Sequence, residues 1–280
     1  MKKLLLALLC TASPALSDTL YFSAIPDDDE TRLIERFGAV ADYLEAELGV
    51  AVEYVPVKDY GAAVMAFRND QIQLGWFGGL SGVQARLAVP GSQAIAQGAE
   101  DESFVTYFIA NTDTGLTEAD ALPDLSGLSF TFGAQTSTSG RLMPEFYIRQ
   151  ETGEAPEDLF SDVGFSGDHG QTLRLVASGA YQTGALNYTV YDQAEAGALA
   201  EVETAKVIWK TPPYPDYNWT IRGDVDARWG EGFADKVQAA LVGMGDPDLL
   251  AAFPRNAFIP AANEDYAPIE QVARDLDLLE

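Results

Sequence analysis

The hydrophobic pattern in the first third of the chain alternates between short apolar runs and helical spacing. Residues 19–25 form an apolar run typical of a buried strand, and residues 31–48 repeat apolar side chains every three to four positions before Gly49. The pattern then predicts a strand over 52–57, a helix over 60–67 and a strand over 73–77. This order of strands and helices predicts a parallel sheet with right-handed crossovers.

The first unit continues with a strand-like stretch over 104–111, and a second unit of the same plan begins after residues 112–127, which are rich in turn-forming residues. After this break the pattern predicts strands over 128–133, 162–165 and 183–188 and helices over 139–150 and 169–178. The two units show no sequence repeat, so they share only the order of their elements.

The chain then leaves the second unit through a proline-rich segment. Residues 211–217 read Thr-Pro-Pro-Tyr-Pro-Asp-Tyr, and three of them cannot donate a ladder hydrogen bond, which predicts an ordered connection. Strands are predicted before it, over 207–210, and after it, over 219–222, and the tail is mostly helical. We expect this tail to pack back on the first unit.

These elements together predict an α/β fold of two lobes. Residues 18–110 and 218–280 would form the first lobe and residues 111–217 the second. The chain would cross between them near Asn111 and near Tyr217, and the two crossings would form a hinge. Ligands of such folds bind in the crevice where the carboxyl ends of strands face helix N-termini.

The N-terminus predicts export. Met1 and two lysines, an apolar run and a small-residue pattern form a signal peptide over residues 1–17, with cleavage before Asp18. A lipid anchor on Cys10 is the alternative, although Leu9 stands where a small residue is expected. Cys10 is the only cysteine, so the mature chain would hold no disulfide. No later stretch reaches the roughly 20 apolar residues that span a bilayer, so we expect a periplasmic protein.

Acidic residues dominate the charge. The chain has 43 acidic residues and 17 lysines and arginines, a formal net charge of −26, which excludes nucleic acid as a partner. The same field repels anions, so an anion site has to be built locally from hydrogen-bond donors. The acidic run over 27–30 resembles a metal cluster, but carboxylates at the start of a predicted helix are favoured by the helix dipole. Neither a metal nor a cofactor is expected.

A hydroxyl-rich turn carries the strongest chemical signal. A predicted strand ends at Gly133, four hydroxyl residues follow at 136–139, and Pro144 fits the first turn of the next helix. Rotatable hydroxyls and unpaired backbone N–H groups at a helix N-terminus form an anion site. Plain helix capping by Ser137 or Thr138 is the alternative, but it explains one hydroxyl and not four.

Two further strand ends are expected at the same rim. His169, the only histidine, begins a predicted helix, where it is either a donor to the same anion or an ordinary capping or surface residue. Trp76 and Phe77 end a strand and precede the glycine-rich stretch 78–82, which allows close backbone approach. The two aromatic side chains belong either to the core or to the wall of the site.

Motifs over nearly the whole mature chain resemble the phosphate, phosphite and phosphonate-binding family of ABC-transporter substrate-binding proteins. The motifs are Asp59-Tyr60, Trp76-Phe77-Gly78, Ser137-Thr138-Ser139-Gly140 with Pro144, His169, and Val207-Ile-Trp-Lys-Thr-Pro-Pro. The resemblance implies a two-lobed type II periplasmic-binding fold and an oxyanion held by the Ser-Thr-Ser helix start. The resemblance also implies that Tyr60, Phe77 and His169 contact this oxyanion. The full set of expected ligand contacts is Tyr60, Trp76, Phe77, Ser137, Thr138, Ser139, Gly140, Arg141, His169, Asn187 and Tyr217.

Departures from the family pattern bear on the ligand. Phosphonate-binding relatives have tyrosine where Phe77 stands, and relatives that bind an aminoalkylphosphonate have carboxylates at the positions that match Val190 and Tyr217. A buried ammonium without a partner costs several kcal/mol, so we expect a small inorganic oxyanion rather than an aminophosphonate. The chain is similar to a branch regarded as selenate binders, and the candidate ligands are selenate, phosphite, phosphate, sulfate and a short phosphonate.

Arg141 and His169 bear on how tightly the site would bind an anion. Arg141 either adds positive charge for a dianion or is solvated. Protonated His169 would bind an anion more tightly, so affinity is expected to fall as the pH rises through an ordinary histidine pKa of about 6.5.

An enzyme on the same fold, or a secreted hydrolase, is the rival class. Residues 164–168 fail the G-x-S-x-G pattern at the last position, and no metal-spaced histidines are present. Ser166, Asp168 and His169 lie too close in sequence to line up as a relay. We therefore expect no catalytic residue, and a monomer whose partner is an ABC transporter permease. A receptor that reports its ligand to a sensor protein is the alternative, which gene neighbours would separate from transport.

Overall fold

The computed structural model describes residues 18–26 and 30–279. The predicted signal peptide, Cys10 and the acidic residues 27–29 lie outside the described residues. The strands in chain order are β1 (Leu20–Ala24), β2 (Val52–Tyr54), β3 (Leu74–Phe77), β4 (Gln93–Gly98), β5 (Thr106–Asn111), β6 (Ser129–Phe132), β7 (Asp162–Phe165), β8 (Thr183–Asn187), β9 (Ala205–Lys210), β10 (Asn218–Ile221) and β11 (Phe258–Pro260).

Helices flank these strands and supply the N-termini on which the site is built. The α-helices are α1 (Glu30–Leu48), α2 (Tyr60–Arg68), α3 (Gly79–Ala88), α4 (Met143–Thr152), α5 (Pro156–Leu159), α6 (His169–Ala177), α7 (Tyr188–Ala196), α8 (Glu201–Thr204), α9 (Val225–Trp229), α10 (Phe233–Val242), α11 (Pro247–Leu250) and α12 (Ala267–Asp275). A π-helical turn, Thr138–Leu142, leads into α4, and short 3₁₀ turns lie at Ala99–Ser103, Thr112–Thr114 and Asn263–Tyr266.

The strands form two mixed sheets among the described residues. The first has the order β11-β4-β10-β3-β1-β2, and the second has the order β7-β6-β8-β5-β9. In the first sheet β1 is parallel to β2 and β3, whereas β10 runs antiparallel to β3 and β4. In the second sheet β6 is parallel to β7 and β8, and β5 is antiparallel to β8 and β9. The expected α/β architecture with two lobes is confirmed, but neither sheet is purely parallel.

The position of the first crossing was predicted wrongly. β5 pairs along its whole length with β8 and β9 of the second sheet, so the chain leaves the first sheet between Gly98 and Thr106, before Asn111. The second crossing, residues 211–217, ends directly before β10. The assignment of residues 18–110 with 218–280 and of 111–217 to two moving lobes stays a prediction.

The two crossings lie side by side. Phe104 and Tyr214 form an antiparallel bridge in which each backbone N–H donates to the other's carbonyl, at 2.9 and 3.0 Å. The Asp216 backbone N–H donates to the Asp101 carbonyl at 3.1 Å. This pairing satisfies backbone groups that would otherwise be buried without partners in irregular chain.

The sequence pattern missed β4, β11 and α3. The stretch 78–82, whose glycines predicted close backbone approach, leads into α3, and its small residues let the helix pack tightly on the sheet. A Cβ atom on Gly82 would lie 2.8 Å from the Asn218 side chain of β10. This close approach accounts for a glycine within a helix, where it normally costs stability.

Candidate functional site

The hydroxyl-rich turn forms a buried helix start whose side chains and backbone are held by specific hydrogen bonds. Ser137 is the N-cap residue, and its Oγ accepts from the Gly140 N–H at 2.9 Å. Thr138 Oγ1 accepts from the Leu80 N–H at 2.9 Å. The Ser139 carbonyl accepts from Thr106 Oγ1 at 2.9 Å. Ser137, Thr138 and Ser139 are all at most 2% exposed.

The start of α3 faces this turn from the first lobe. Gly78 is its N-cap residue and offers no side chain to cap the first N–H groups. The Gly79 N–H instead donates to Asp216 Oδ1 at 2.9 Å, and the Leu80 N–H donates to Thr138. Two helix N-termini, one from each lobe, therefore converge, and their positive ends favour negative charge between them.

Asp216 is the central residue that the sequence pattern missed. It is 1% exposed, and its Oδ1 accepts from the Gly79 N–H at 2.9 Å. Burial raises the pKa of Asp216 to about 7, whereas the Gly79 N–H and the hydroxyls of Thr138 and Ser139 favour its ionised form. It follows Pro215 in the second crossing. Its position beside α3 becomes visible only once the two crossings are seen to pair in the structure.

His169 begins α6 and lies against the same turn. It is 1% exposed, and a Cβ atom on Gly140 would lie 3.1 Å from its Cε1. Its Nδ1 accepts from the Asn187 N–H at 3.2 Å, which leaves the proton of the neutral ring on Nε2. Nε2 is buried without a partner, and burial lowers the pKa of His169 to about 4. The expected switch near pH 6.5 is therefore wrong, because His169 is a neutral donor.

Asn187 and Tyr217 lie in the same buried network. The Asn187 side-chain Nδ2 donates to the Tyr217 hydroxyl at 3.1 Å, and its Oδ1 accepts from the Thr189 N–H at 2.7 Å. The Tyr217 ring stacks on Trp76, with ring centroids 5.5 Å apart. Trp76, at the end of β3, thus joins the core of the first sheet to the second crossing.

A buried ion pair lies beneath these aromatic rings. Arg255 binds Asp101 through two hydrogen bonds of 2.7 Å, and both side chains are at most 3% exposed. The Arg255 guanidinium lies over the Tyr217 ring, 5.1 Å from its centroid, and over Trp76 at 5.9 Å. Bidentate geometry and cation–π contacts compensate the desolvation of both charges and hold the two crossings in register.

Tyr60 and Phe77 occupy buried positions in the first lobe. Tyr60 begins α2 after Asp59, whose side chain accepts from the Ala62 N–H at 2.7 Å. Phe77 ends β3 and packs edge-on against Phe67, with centroids 5.7 Å apart. Both side chains are at most 2% exposed. Their contact with a ligand stays a prediction.

Arg141 does not offer a free charge to the site. Its guanidinium pairs with Glu145 and lies over the rings of Phe132 and Phe165, 4.5 and 5.3 Å from their centroids. The side chain is 12% exposed, so the solvated alternative is wrong as well. Burial lowers the pKa of Arg141 to about 10, which still leaves it charged at neutral pH.

The argument from missing carboxylates also needs correction. Val190 lines a groove of about 400 Å³ together with Arg36, Arg174 and Glu201, so this groove contains a carboxylate as well as two guanidinium groups. Beside Tyr217, however, Asp216 does bring a carboxylate into the site. This carboxylate lies among the hydroxyl and N–H donors.

The fold and site define a two-lobed solute-binding protein of the ABC-importer type. A sequence profile described as "ABC transporter, phosphonate, periplasmic substrate-binding protein" matches residues 22–266. The chain therefore belongs to the phosphonate-binding family of periplasmic substrate-binding proteins. In the described residues no helix is both long and apolar enough to cross a membrane.

Individual relatives agree with this family. The chain is 38% identical over 276 residues to the probable ABC transporter phosphite binding protein PhnD1 of Prochlorococcus marinus (strain MIT 9301), covering 95% of this chain and 93% of the relative. The structure of PhnD1 with methylphosphonate superposes with a TM-score of 0.88 and covers 92% of this chain and 98% of PhnD1. The phosphonates-binding periplasmic protein of Escherichia coli (strain K12) is 24% identical over 261 residues, 91% of this chain and 75% of the relative.

Proposed function

We propose that this chain captures a small phosphorus oxyanion, of the size of phosphite or methylphosphonate, in the crevice between its two sheets and delivers it to an ABC transporter permease. The observation that carries the proposal is the convergence of two helix N-termini beside the unpartnered Nε2–H of His169. A buried donor without a partner is costly, and an oxyanion oxygen would satisfy it.

The geometry suits an anion in a chain of strongly negative charge. Backbone N–H groups and hydroxyls supply the attraction locally, without a lysine or arginine that would also attract other anions. Ser139, Thr138 and His169 are the proposed donors of the second lobe, and Tyr60 is the proposed donor of the first. Trp76, Phe77, Gly140, Asn187 and Tyr217 would shape the walls.

The relatives support a phosphorus-centred ligand. Similarity to PhnD1, whose structure holds methylphosphonate, extends over nearly the whole chain. The assignment to a selenate-binding branch gains no support from these names and stays a prediction. Cleavage of residues 1–17, a monomeric state and the permease partner are part of the proposal, because the periplasmic family implies export but does not identify the segment that directs it.

Thermal-shift screening of oxyanions tests the proposal. Phosphite, methylphosphonate, phosphate, selenate, sulfate and 2-aminoethylphosphonate are added to the protein purified after export, with chloride at equal ionic strength as the control. A ligand at about 100 times its Kd adds about 2.7 kcal/mol of stability and raises the melting temperature. We expect phosphite or methylphosphonate to give the largest shift. No shift with any phosphorus oxyanion, confirmed by calorimetry, would contradict the proposal.

A further inference from the structure

A cavity of about 300 Å³ lies beside the C-terminal end of α3, the opposite end of this helix from Gly79. Arg86 from α3, Gln93 from β4 and Glu270 from α12 line it. In the part of the chain that the structure describes, none of the residues assigned to the oxyanion site is among those that line this cavity. The cavity is therefore separate from the crevice between the two sheets.

The Arg86 guanidinium is held in place along one edge. Its Nη1 donates to Asn218 Oδ1 at 3.0 Å and to Thr220 Oγ1 at 2.7 Å, both on β10, and the group lies over the Tyr266 ring, 4.9 Å from the centroid. Nε and Nη2 donate to none of the residues that the structure describes. Burial lowers the pKa of Arg86 to about 10, so the group is still charged at neutral pH.

The edge of Arg86 formed by Nε and Nη2 is the one through which other arginines of this chain bind carboxylates. Arg255 donates from Nε and Nη2 to Asp101, and Arg222 donates from the same two atoms to Asp224. Two parallel N–H groups match the two oxygens of a carboxylate, which makes the pair stronger and more directional than a single hydrogen bond. Within the described ranges of the chain, no acidic side chain hydrogen-bonds to Arg86.

Ser92 supplies a second donor to the cavity. The residue is 4% exposed, and its Oγ makes no hydrogen bond to any described residue. A buried hydroxyl without a partner is costly, and a carboxylate oxygen would satisfy it. The Ser92 carbonyl accepts from Asn263 Nδ2 at 3.2 Å, and Asn263 Oδ1 accepts from the Ala94 N–H at 2.8 Å. These bonds fix the segment that carries the hydroxyl.

The charge and the walls of the cavity indicate what kind of ligand fits. Glu270 lines the cavity, and Arg274, one turn later on α12, binds this carboxylate through Nε and Nη2. The guanidinium groups of Arg86 and Arg274 and the Glu270 carboxylate together leave one net positive charge. Val83 and Leu87 of α3 add apolar side chains to the wall. The cavity therefore suits a monoanion with a short apolar part.

We propose that this cavity is a second ligand site, which binds a small monocarboxylate through the Nε and Nη2 groups of Arg86 and the hydroxyl of Ser92. The site goes beyond the proposed function, because a carboxylate in this cavity does not replace the oxyanion in the crevice. Inorganic dianions such as sulfate fit less well, because their charge exceeds the single net positive charge of the cavity and the excess is repelled by Glu270.

Calorimetry with propionate on the wild-type protein purified after export tests the inference, with chloride used to hold the ionic strength constant. We expect one propionate to bind per chain with a Kd of about 1 mM or tighter, both with and without saturating methylphosphonate. Propionamide, which lacks the charge, should bind at least about tenfold more weakly. The inference is overturned if propionate shows no saturable binding up to about 50 mM, or if methylphosphonate displaces it, which would place propionate in the crevice.

Arg86→Lys and Ser92→Ala locate the bound propionate. Lysine keeps the charge but lacks the two parallel N–H groups, so affinity should fall by about tenfold or more. Ser92→Ala should weaken binding by about threefold or more and leave the melting temperature of the free protein nearly unchanged, because no described residue hydrogen-bonds to the hydroxyl.

Arg68→Lys, at an exposed position of α2, is the control and should bind propionate like the wild type. If Arg86→Lys does not fold because its bonds to β10 are lost, Ser92→Ala still decides the question. Unchanged propionate affinity in Ser92→Ala, or in a folded Arg86→Lys, would show that the carboxylate does not bind in this cavity and would overturn the inference.

Discussion

The Asp216 carboxylate accepts a hydrogen bond at 2.9 Å from the backbone N–H of Gly79, 137 positions away in the chain. The contact joins the second crossing to the N-terminus of α3, so a carboxyl group occupies part of that end of the helix. Charge at a helix N-terminus is favoured by the helix dipole, but burial opposes it. The balance makes Asp216 sensitive to pH in the free protein.

The first prediction is that Asp216→Asn changes how stability depends on pH. The folded-state pKa of about 7 lies above the ordinary value of 3.8, so the folded protein binds more protons than the unfolded chain between these values. The contribution of Asp216 to stability is then fully present below about pH 4 and is lost as the pH rises through 7. The melting temperature of Asp216→Asn should rise relative to wild type over this interval.

Comparing Asp216→Asn with wild type separates the effect of Asp216 on stability from that of other titrating groups. His169 gives an opposite trend, because its lowered pKa makes stability increase between about pH 4 and pH 6.5, but it does so in both proteins. A melting-temperature difference that stays constant from pH 4 to pH 8 would show that Asp216 has an ordinary pKa.

Two substitutions in the hydroxyl-rich turn should distinguish a helix-capping role from a ligand-binding role. Ser137→Ala removes the cap to Gly140 and should cost about 0.5–2 kcal/mol in the free energy of unfolding. Thr138→Ala should instead weaken ligand binding by about tenfold or more, because a hydrogen bond to a charged group is worth about 1.5–3 kcal/mol. Denaturant unfolding and calorimetry measure the two effects.

Thr138→Ser is the matched control, because it keeps the hydroxyl that accepts from Leu80. It should retain affinity within about threefold. If Thr138→Ala binds as well as Thr138→Ser, the Thr138 hydroxyl has no role in recognition and serves only the contact to α3.

His169 is expected to bind as a neutral donor. Because its pKa is lowered to about 4 and its Nδ1 is already an acceptor, its protonation state does not change between about pH 5 and pH 8. His169→Gln can place an N–H donor near the position of Nε2, whereas His169→Asn can accept only near Nδ1. We expect Gln to retain more affinity than Asn in calorimetry. The reverse order would indicate that the contact to Asn187, and not the Nε2 donor, supports binding.

The sequence predicted those parts of the fold that depend on local pattern. Apolar spacing located β7 and α6 within one residue, and the hydroxyl run 136–139 marked a helix start that the structure confirms. β4 and β11 were missed because their positions are fixed by pairing with distant partners. The assignment of β5 to the second sheet likewise depends on partners about 75 to 100 residues away, which no local window contains.

Contacts between residues far apart in the sequence also explain which parts of the candidate site could not be predicted. Asp216 stands in a segment whose sequence indicates a rigid connection, and its role is visible only when that segment lies against α3. Arg141 resembled an anion ligand by its distance from the hydroxyls, but Glu145, one turn later on the same helix, captures it. Sequence spacing thus identified the candidate donors of the hydroxyl-rich turn. The position of Asp216 and the pairing of Arg141 with Glu145 could be recognised only from contacts in the folded structure.

The last prediction concerns closure of the crevice at Gly78. Its φ of −73° and ψ of 167° are accessible to alanine, so Gly78→Ala introduces no backbone strain. The new methyl group would lie 3.2 Å from Thr138 Oγ1 and from Asp216 Oδ1, closer than ordinary contact, and would hold the two lobes apart. Affinity should fall by about three- to tenfold, since at least one hydrogen bond between α3 and the turn is weakened. The free energy of unfolding should change little, because the obstructed contact lies between lobes.

Gly38→Ala is the matched control for this change. Gly38 lies within α1, and a Cβ atom there meets nothing within 4 Å, so alanine should stabilise the helix by up to about 1 kcal/mol and leave affinity unchanged. Small-angle scattering separates the two variants: ligand should reduce the radius of gyration of Gly38→Ala as in wild type, and less so in Gly78→Ala. If both variants bind and compact equally, the approach of α3 to the hydroxyl-rich turn is not part of ligand capture, and the lobes do not close by the contact between Leu80 and Thr138.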